Sequence, residues 1–223
     1  MKTIAIIPAR GGSKRLKGKN IKELDGLPLL VHSILYAKNN SHFIDAVYVS
    51  TNDSNISAIA LQYGAKVIAR PESLSDDYAT TVAALKHVLE SLDDVVVHVV
   101  VLQPTNPLRP KSLLREAMDI YLKGAYDSLF TVSRNHQKLG KIIDNIFVPY
   151  NYEIGQRSQD LEPLYFENGL LYICKADLIL DLKIQGQKSF PFIVDNPFAM
   201  VDIDTQADFD YAEYLMQKKM NGL

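Results

Sequence analysis

Short apolar runs alternate with helix-period segments along nearly the whole chain, and few folds accommodate that alternation. Thr3–Ile7, Ala46–Thr51, Lys66–Ala69, Val95–Leu102, Ser128–Val132 and Leu170–Cys174 have the length and composition of buried strands. Between them lie helical patterns. One starts at Pro28 and runs to Lys38, and a second is capped by Asp53 and closed by Gly64. A third spans Thr81 to Leu92, and a fourth runs from Lys111 to Lys123 and stops at Gly124. A strand followed by a helix crosses over before it pairs again, so the strands run mostly parallel and need helices on both faces. The expectation is an α/β fold of three layers, α/β/α, with a mostly parallel sheet. Val95–Leu102 is the most apolar run and is expected at the centre.

The rhythm breaks once, from about 135 to 168. Ile142–Phe147 there reads as a hairpin with Asp144-Asn145 at its turn, followed by a polar stretch without periodicity. An excursion of this length in a compact α/β fold points to a lid, a dimer arm or both. The chain ends in Val201-Asp202-Ile203-Asp204 and a helix opened by Thr205 and Asp208, with Phe209, Ala212, Leu215 and Met216 as its apolar stripe. No second domain is indicated, so 1–223 is expected to be one unit carrying that excursion. With 223 residues the chain can bury a full core. Cys174 is the sole cysteine, which favours a reducing compartment and excludes an internal disulfide. No run reaches membrane-spanning length and no signal peptide precedes the first strand, so a cytoplasmic location without a membrane partner is expected.

The first apolar run leads into Pro8-Ala9-Arg10-Gly11-Gly12-Ser13-Lys14-Arg15-Leu16-Lys17-Gly18-Lys19-Asn20. Six basic residues and no acidic one lie from Arg10 to Lys22, in a chain of formal charge -2. A cationic glycine-containing loop after a first strand suits a polyphosphate: backbone N–H groups approach the oxygens, and Lys and Arg neutralise them. It is not a Walker loop, because five residues separate Gly12 from Gly18 and Asn20 stands where Ser or Thr would hold magnesium. It is not the dinucleotide fingerprint either. The cationic stretch is too local, and the chain too acidic, for a nucleic-acid footprint.

If the last apolar segment is extended, Asp202 and Asp204 share a face, about 6.6 Å apart at ~3.3 Å per residue. Two carboxylates there suit a hard divalent cation such as Mg2+ or Mn2+, while the competing reading is that one of them assists the following helix N-terminus. Gln103 to Arg109 forms a loop at the carboxyl end of the central strand, where open α/β sheets place ligands. Gln103 and Arg109 are read as ligand-facing, Pro104 and Pro107 as rigid turn.

These segments together resemble the acylneuraminate cytidylyltransferases, also called CMP-sialic acid or CMP-nonulosonate synthetases. The family pattern of Ala-Arg, two residues, Ser-Lys, four residues and Lys-Asn is met by Ala9-Arg10, Ser13-Lys14 and Lys19-Asn20. Leu102-Gln103-Pro104-Thr105 with Pro107-Leu108-Arg109 is similar to a second family motif, in which Asn106 replaces a serine. Arg70 with Thr80-Thr81, Arg157-Ser158-Gln159-Asp160-Leu161, Asn168-Gly169 with Tyr172, and Asp202-x-Asp204 complete the resemblance. It departs at Ser158 and at Phe166-Glu167, where the family often carries arginine.

The resemblance implies a Rossmann-like nucleotidyltransferase fold with an inserted dimerisation arm, and a homodimer with shared active sites. It implies CTP contacts from Ala9, Arg10, Gly11, Ser13, Lys14, Lys19, Asn20, Arg70 and Thr81, and sugar contacts from Gln103, Arg157, Asn168 and Tyr172. Asp202 and Asp204 would hold the metal and, with Arg10 and Lys14, would form the catalytic set. Thr80 reads equally as a helix cap, Tyr172 as core, and Lys138 and Lys141 are alternative sources of a basic residue on the arm. The reaction implied is transfer from CTP to a nonulosonic acid with release of pyrophosphate. The alternatives are a CMP-KDO synthetase, another sugar nucleotidyltransferase, or a nucleotide-binding regulator without chemistry.

Overall fold

The computed structural model describes residues 2–76 and 78–220. The first strand, β1 (Lys2–Pro8), leads through the cationic loop to a small hairpin of β2 (Glu23–Leu24) and β3 (Leu27–Pro28). Then follow α1 (Leu29–Lys38), β4 (Ala46–Thr51), α2 (Ser54–Gln62), β5 (Lys66–Ala69), α3 (Thr81–Glu90) and β6 (Val96–Val101). The second half contains α4 (Leu113–Lys123), β7 (Ser128–Arg134), the hairpin β8 (Gly140–Ile143) and β9 (Ile146–Pro149), β10 (Tyr165–Lys175), α5 (Ala176–Leu180), β11 (Ser189–Ile193) and α6 (Gln206–Met220).

Among the described residues seven strands form one sheet in the order β11-β7-β10-β6-β1-β4-β5. Pairing is parallel except along β10, which is antiparallel to both β6 and β7. The most apolar strand, β6, is the middle one, as expected. Alternation along β1 divides the core. Ala5 and Ile7 pack with α1, α2 and α4 on one face, and Ile4 and Ile6 pack with α3 and α5 on the other. All four are fully buried, which is why the strand reads as a continuous apolar run. Each fully buried isoleucine contributes about 1.5–3 kcal/mol relative to exposure. The sheet covered on both faces is the three-layer α/β/α architecture.

Local signals set many boundaries. The Asp53 carboxylate accepts from the N–H groups of Asn55 and Ile56, and the Thr80 hydroxyl accepts from Ala83 N–H, so both are helix caps. Asp144 and Asn145 both have positive φ, 50° and 64°, as the two-residue turn of β8–β9 requires. Three features refine the sequence reading. Val201–Asp204 is not a strand of the sheet; it is an extended link, tied by Ile203 N–H to Thr105 O, that leads into α6. The core strand around Leu170–Cys174 begins earlier, at Tyr165. The segment from 175 to 200, unassigned from sequence, supplies α5 and the edge strand β11.

A third apolar cluster fastens α6 to the body. Phe209 and Ala212 pack with Leu24, Leu29, Leu108, Val201 and Ile203. The Asp202-Asp204 segment is therefore clamped from inside by Val201 and Ile203, and its carboxylates face outward.

Two half-buried histidines carry a pH dependence. His32 Nε2–H donates to Leu24 O, and His98 Nδ1 lies 3.0 Å from the Tyr121 hydroxyl. Burial holds both imidazoles below their ordinary value of 6.5. A depressed histidine favours the neutral form in the fold, so its stabilising effect is present above about pH 6.5 and is lost as pH falls and the unfolded chain takes up protons. The melting temperature is expected to drop between about pH 7 and 5, and the double variant His32→Gln/His98→Gln to drop less. Parallel profiles for the two proteins would show that these histidines are not the cause.

Candidate active site

The loop after β1 is shaped by three backbone constraints. Ala9 N–H donates to Ser50 O, continuing the β1–β4 pairing, and Gly11 N–H donates to Asn52 Oδ1. A Cβ on Gly11 would stand 2.8 Å from the Asp53 Cβ and Oδ2, so only glycine fits against the start of α2. Gly18, at φ 64°, turns the chain into a short 3-10 helix that carries Asn20. Asn20 is buried, and its Nδ2 donates back to Arg10 O, closing the loop on itself.

That closure brings distant charges together. Lys19 Nζ donates to Asp204 Oδ1 and to Ile203 O, both at 2.8 Å, while the Arg15 guanidinium meets Asp204 Oδ2 at 2.6 Å. Both oxygens of Asp204 are thus held by cations from the loop. The neighbouring Asp202 carboxyl is pushed above the ordinary range, chiefly by desolvation, with Asp204 adding repulsion and the Thr105 hydroxyl opposing the rise. The Thr105 hydroxyl also lies 3.1 Å from Asn106 Oδ1.

Two cavities meet at Arg10. One, of about 410 Å3, is lined by Ser13, Lys14, Arg15, Lys19, Asn20 and Asp204. The other, of about 250 Å3, is lined by Arg70, Leu74, Ala79, Thr80, Thr81 and Gln103. Pro8 and Arg10 line both. The Arg10 guanidinium donates to the carbonyls of Ser75 and Asp76, so it is anchored on the wall of the second cavity. Arg70 is buried and donates through Nε to Ser50 Oγ and through a terminal nitrogen to Ser50 O. Burial, reinforced by the Arg10 charge, holds its guanidinium down to about 10, still cationic at neutral pH. The arrangement offers a cationic, carboxylate-edged chamber joined to a smaller polar one at the carboxyl ends of β1 and β6.

Most residues named from the loop motifs converge here: Arg10, Ser13, Lys14, Lys19, Asn20, Arg70, Thr81, Gln103 and Asp204 line the two cavities, and Ala9 and Gly11 shape the loop behind them. Asp202 stands beside Asp204 on the extended link. The other residues lie elsewhere. Asn168 is buried, with Nδ2 donating to Ser133 Oγ and Oδ1 accepting from Leu170 N–H. The Tyr172 hydroxyl donates to Glu167 Oε2. Arg157 lies on the arm, paired with Asp160, and lines neither cavity. Lys138 and Lys141 are also on the arm, the first donating to Gln156 O and the second lying over the Tyr150 ring.

The reading of Arg109 as ligand-facing is corrected. Its guanidinium is buried and donates to Leu170 O, Ser33 Oγ and Gln103 O, so it braces the loop from behind. Asn106 has a similar role that sequence reasoning missed. Its Nδ2 donates to both Asn168 O and Val201 O at 3.0 Å, joining β10 to the Asp202 link. Arg15 was visible as one of six loop cations, but nothing in the sequence singled out its pairing with Asp204.

The mostly parallel sheet, the cationic loop after its first strand and the Asp204 carboxylate held against that loop, beside Asp202, are the frame of a nucleotidyltransferase. The solved structure of a CMP:2-keto-3-deoxy-manno-octonic acid synthetase complexed with CTP superimposes with a TM-score of 0.71, covering 98% of this chain and 100% of that one at 17% identity. The chain belongs to the cytidylyltransferase family, whose description, Cytidylyltransferase, matches residues 4–221. It is 34% identical to a pseudaminic acid cytidylyltransferase of Campylobacter jejuni subsp. jejuni over 226 residues, 96% of each chain. It is 33% identical to a CMP-N,N'-diacetyllegionaminic acid synthase of Legionella pneumophila over the full length of both. An N-acylneuraminate cytidylyltransferase of Streptococcus agalactiae is 33% identical over 99% of this chain and 56% of its own length.

Proposed function

We propose that this chain transfers CMP from CTP to the anomeric hydroxyl of a nonulosonic acid. The sugar oxygen forms a bond to the α-phosphorus, the bond from that phosphorus to the bridging oxygen breaks, and pyrophosphate leaves. The observation that carries this reading is the pair of cavities joined at Arg10. A nucleotide with its base and ribose beside Arg70, Thr81 and Gln103 extends its phosphates past Arg10 toward Lys14, Lys19 and the carboxylates. The relatives named for pseudaminic, legionaminic and acylneuraminic acids support the acceptor class.

Transfer of this kind depends on positioning and charge stabilisation. Arg10 is held at the junction by the Ser75 and Asp76 carbonyls, which aims its charge where the α-phosphate must pass. Lys14 and Lys19 neutralise the charge that moves onto the departing pyrophosphate. Incoming phosphates also offer Arg15 and Lys19 a second anion, which frees Asp204 oxygens. Asp202 and Asp204 fit a hard cation: both ligands are carboxylate oxygens, and Mg2+ takes one or two of these along with waters and substrate phosphates. Among the described residues no cluster of three or more His, Cys, Asp or Glu offers a denser cage. Mg2+ or Mn2+ bound there supplies Lewis acidity toward the phosphates and the attacking hydroxyl.

Two further readings accompany this one. The β8–β9 hairpin exposes Ile142 and Ile146 at 77% and 67%, and an isolated hairpin is marginal by itself, so we assign the arm to homodimer formation. We place the reaction in the cytoplasm, where CTP is available; no helix among the described residues is long and apolar enough to cross a membrane.

The test is pyrophosphate release from CTP and Mg2+ with N-acetylneuraminate, KDN, legionaminate, pseudaminate and KDO. Release with a nine-carbon acid, lost on chelation of the metal, is expected. KDO as sole substrate would move the chain to that synthetase class. CTP binding without release on any acid would leave a nucleotide-binding regulator.

A further inference from the structure

At one end of the sheet, across β10, β7 and β11, one face opens into a groove. The register places Tyr172, Phe130 and Pro191 in one row across β10, β7 and β11, and Glu167, Val132 and Ile193 in the next. Neighbours in a row share a face, and so do residues two apart on β7 and β11. Along an unbroken strand Glu167 and Tyr172, five residues apart, would point to opposite faces. The register shift between them sets four residues of β10, 168–171, opposite the single residue Thr131 of β7, three more than regular pairing, so both side chains emerge on the same side. The result is a groove of about 430 Å3 lined by Phe130, Val132, Tyr165, Glu167, Pro191 and Ile193.

Its one ionisable carboxylate is held in place. Glu167 Oε2 accepts from the Tyr172 hydroxyl at 3.1 Å, and Oε1 accepts from Gln185 Nε2 at 2.8 Å. A carboxylate has about four acceptor positions, so two remain for a ligand. Hydrogen bonds also tie the groove's strand to the link that carries Asp202. Asn106 Nδ2 holds Asn168 O and Val201 O together, and those residues follow Glu167 and precede Asp202. Tyr172 lies close enough to Asp202 for its phenol to be perturbed by that charge, after burial and Glu167.

An acceptor-only group over an apolar floor is selective. It repels the acid function of a sugar acid and favours a neutral donor; the floor of Phe130, Pro191 and Ile193 favours a donor that carries carbon. An acylamido group satisfies both demands together, its acyl carbons on the floor bringing its N–H to Glu167, whereas a hydroxyl, with no carbon to rest on the floor, is not held against the carboxylate. We propose that Glu167 is a specificity-determining residue of the acceptor subsite, accepting a hydrogen bond from the N–H of an acylamido substituent whose acyl carbons rest on Phe130, Pro191 and Ile193. This deepens, and rests on, the reading of the chain as a nonulosonate cytidylyltransferase.

The experiment measures pyrophosphate release by wild type, Glu167→Ala and Glu167→Gln with N-acetylneuraminate and with KDN, which differ by acylamido against hydroxyl at one carbon, and with the diacylamido acids. Wild type is expected to favour acylamido acids in kcat/KM. In Glu167→Ala the KM for those acids rises about ten- to a hundredfold, the size of a hydrogen bond to a charged group. The KM for KDN and for CTP, and kcat, stay within about twofold, because an interaction equal in ground and transition states acts on KM alone. Glu167→Gln, which keeps the volume, shows the same selectivity loss to a smaller degree. An equal loss on KDN, or no loss on any acid, overturns the assignment of Glu167 and leaves the activity standing. If wild type binds CTP but releases pyrophosphate with none of the acids, the activity and this assignment fall together.

Discussion

Asp202→Ala and Lys14→Ala are each expected to lower turnover by about 10²–10³-fold while the chain still folds, the usual size of losing one preorganised charge partner. In the proposed reaction the two residues act on opposite ends of the same charge movement. Lys14 lines the chamber proposed to receive the phosphates, and Asp202 is one of the two carboxylates on the link proposed to hold a divalent cation beside them. Asp202 is a poor stabiliser of the fold, since desolvation and Asp204 both disfavour its charge. Its removal should therefore leave the melting temperature near or above that of wild type. The check is a steady-state assay beside a thermal melt and CTP titration. Normal CTP- and Mg2+-dependent turnover by either folded variant would sink the role assigned to that residue.

Arg109→Ala is expected to cost about 3–5 kcal/mol of stability, through loss of buried charged hydrogen bonds and the cavity left behind. Three acceptors depend on this one side chain: Leu170 O at 2.6 Å, Gln103 O at 2.7 Å and Ser33 Oγ at 3.0 Å. They belong to β10, the loop after β6 and α1, so the guanidinium joins three elements around the site. Burial pulls it down to about 10, which leaves it charged at neutral pH and dependent on those oxygens. Arg109→Lys should recover little, because an ammonium cannot span three acceptors in the geometry of a planar fork. Denaturant unfolding gives the answer directly: a loss under about 1 kcal/mol for Arg109→Ala would mean that water replaces the guanidinium readily.

Much of the architecture was legible because its signals are local. The caps at Asp53 and Thr80, the Asp144-Asn145 turn and the alternation along β1 depend on atoms a few residues apart, or on the repeat of the backbone itself. The cationic loop was legible for a related reason: six cations without an acid within thirteen residues concentrate positive charge whatever surrounds them. Thr205 and Asp208 belong with these, since Asp208 accepts from Thr205 N–H and Asp208 N–H donates to the Thr205 hydroxyl within one turn.

The short β11, with Pro191 at its centre, was not legible. It is only five residues long, its proline argues against a strand, and its place at the sheet edge depends on β7 having an open side. Arg109 was misread because an arginine in a ligand loop and an arginine bracing that loop have the same sequence environment. Which oxygens it reaches depends on α1 and β10, 76 and 61 residues away along the chain.

By itself, then, the sequence determined the α/β layering, the cationic loop and the carboxylate pair, since strand and helix periods and charge density are properties of contiguous residues. Tertiary structure alone decided that Lys19 meets Asp204 across 185 positions, that Asn106 ties β10 to the carboxylate link, and that Glu167 and Tyr172 share a face. In each case polar atoms choose among distant partners, and a shift in strand register reverses the parity that sequence spacing implies. Those choices are made only when all the segments compete for the same space.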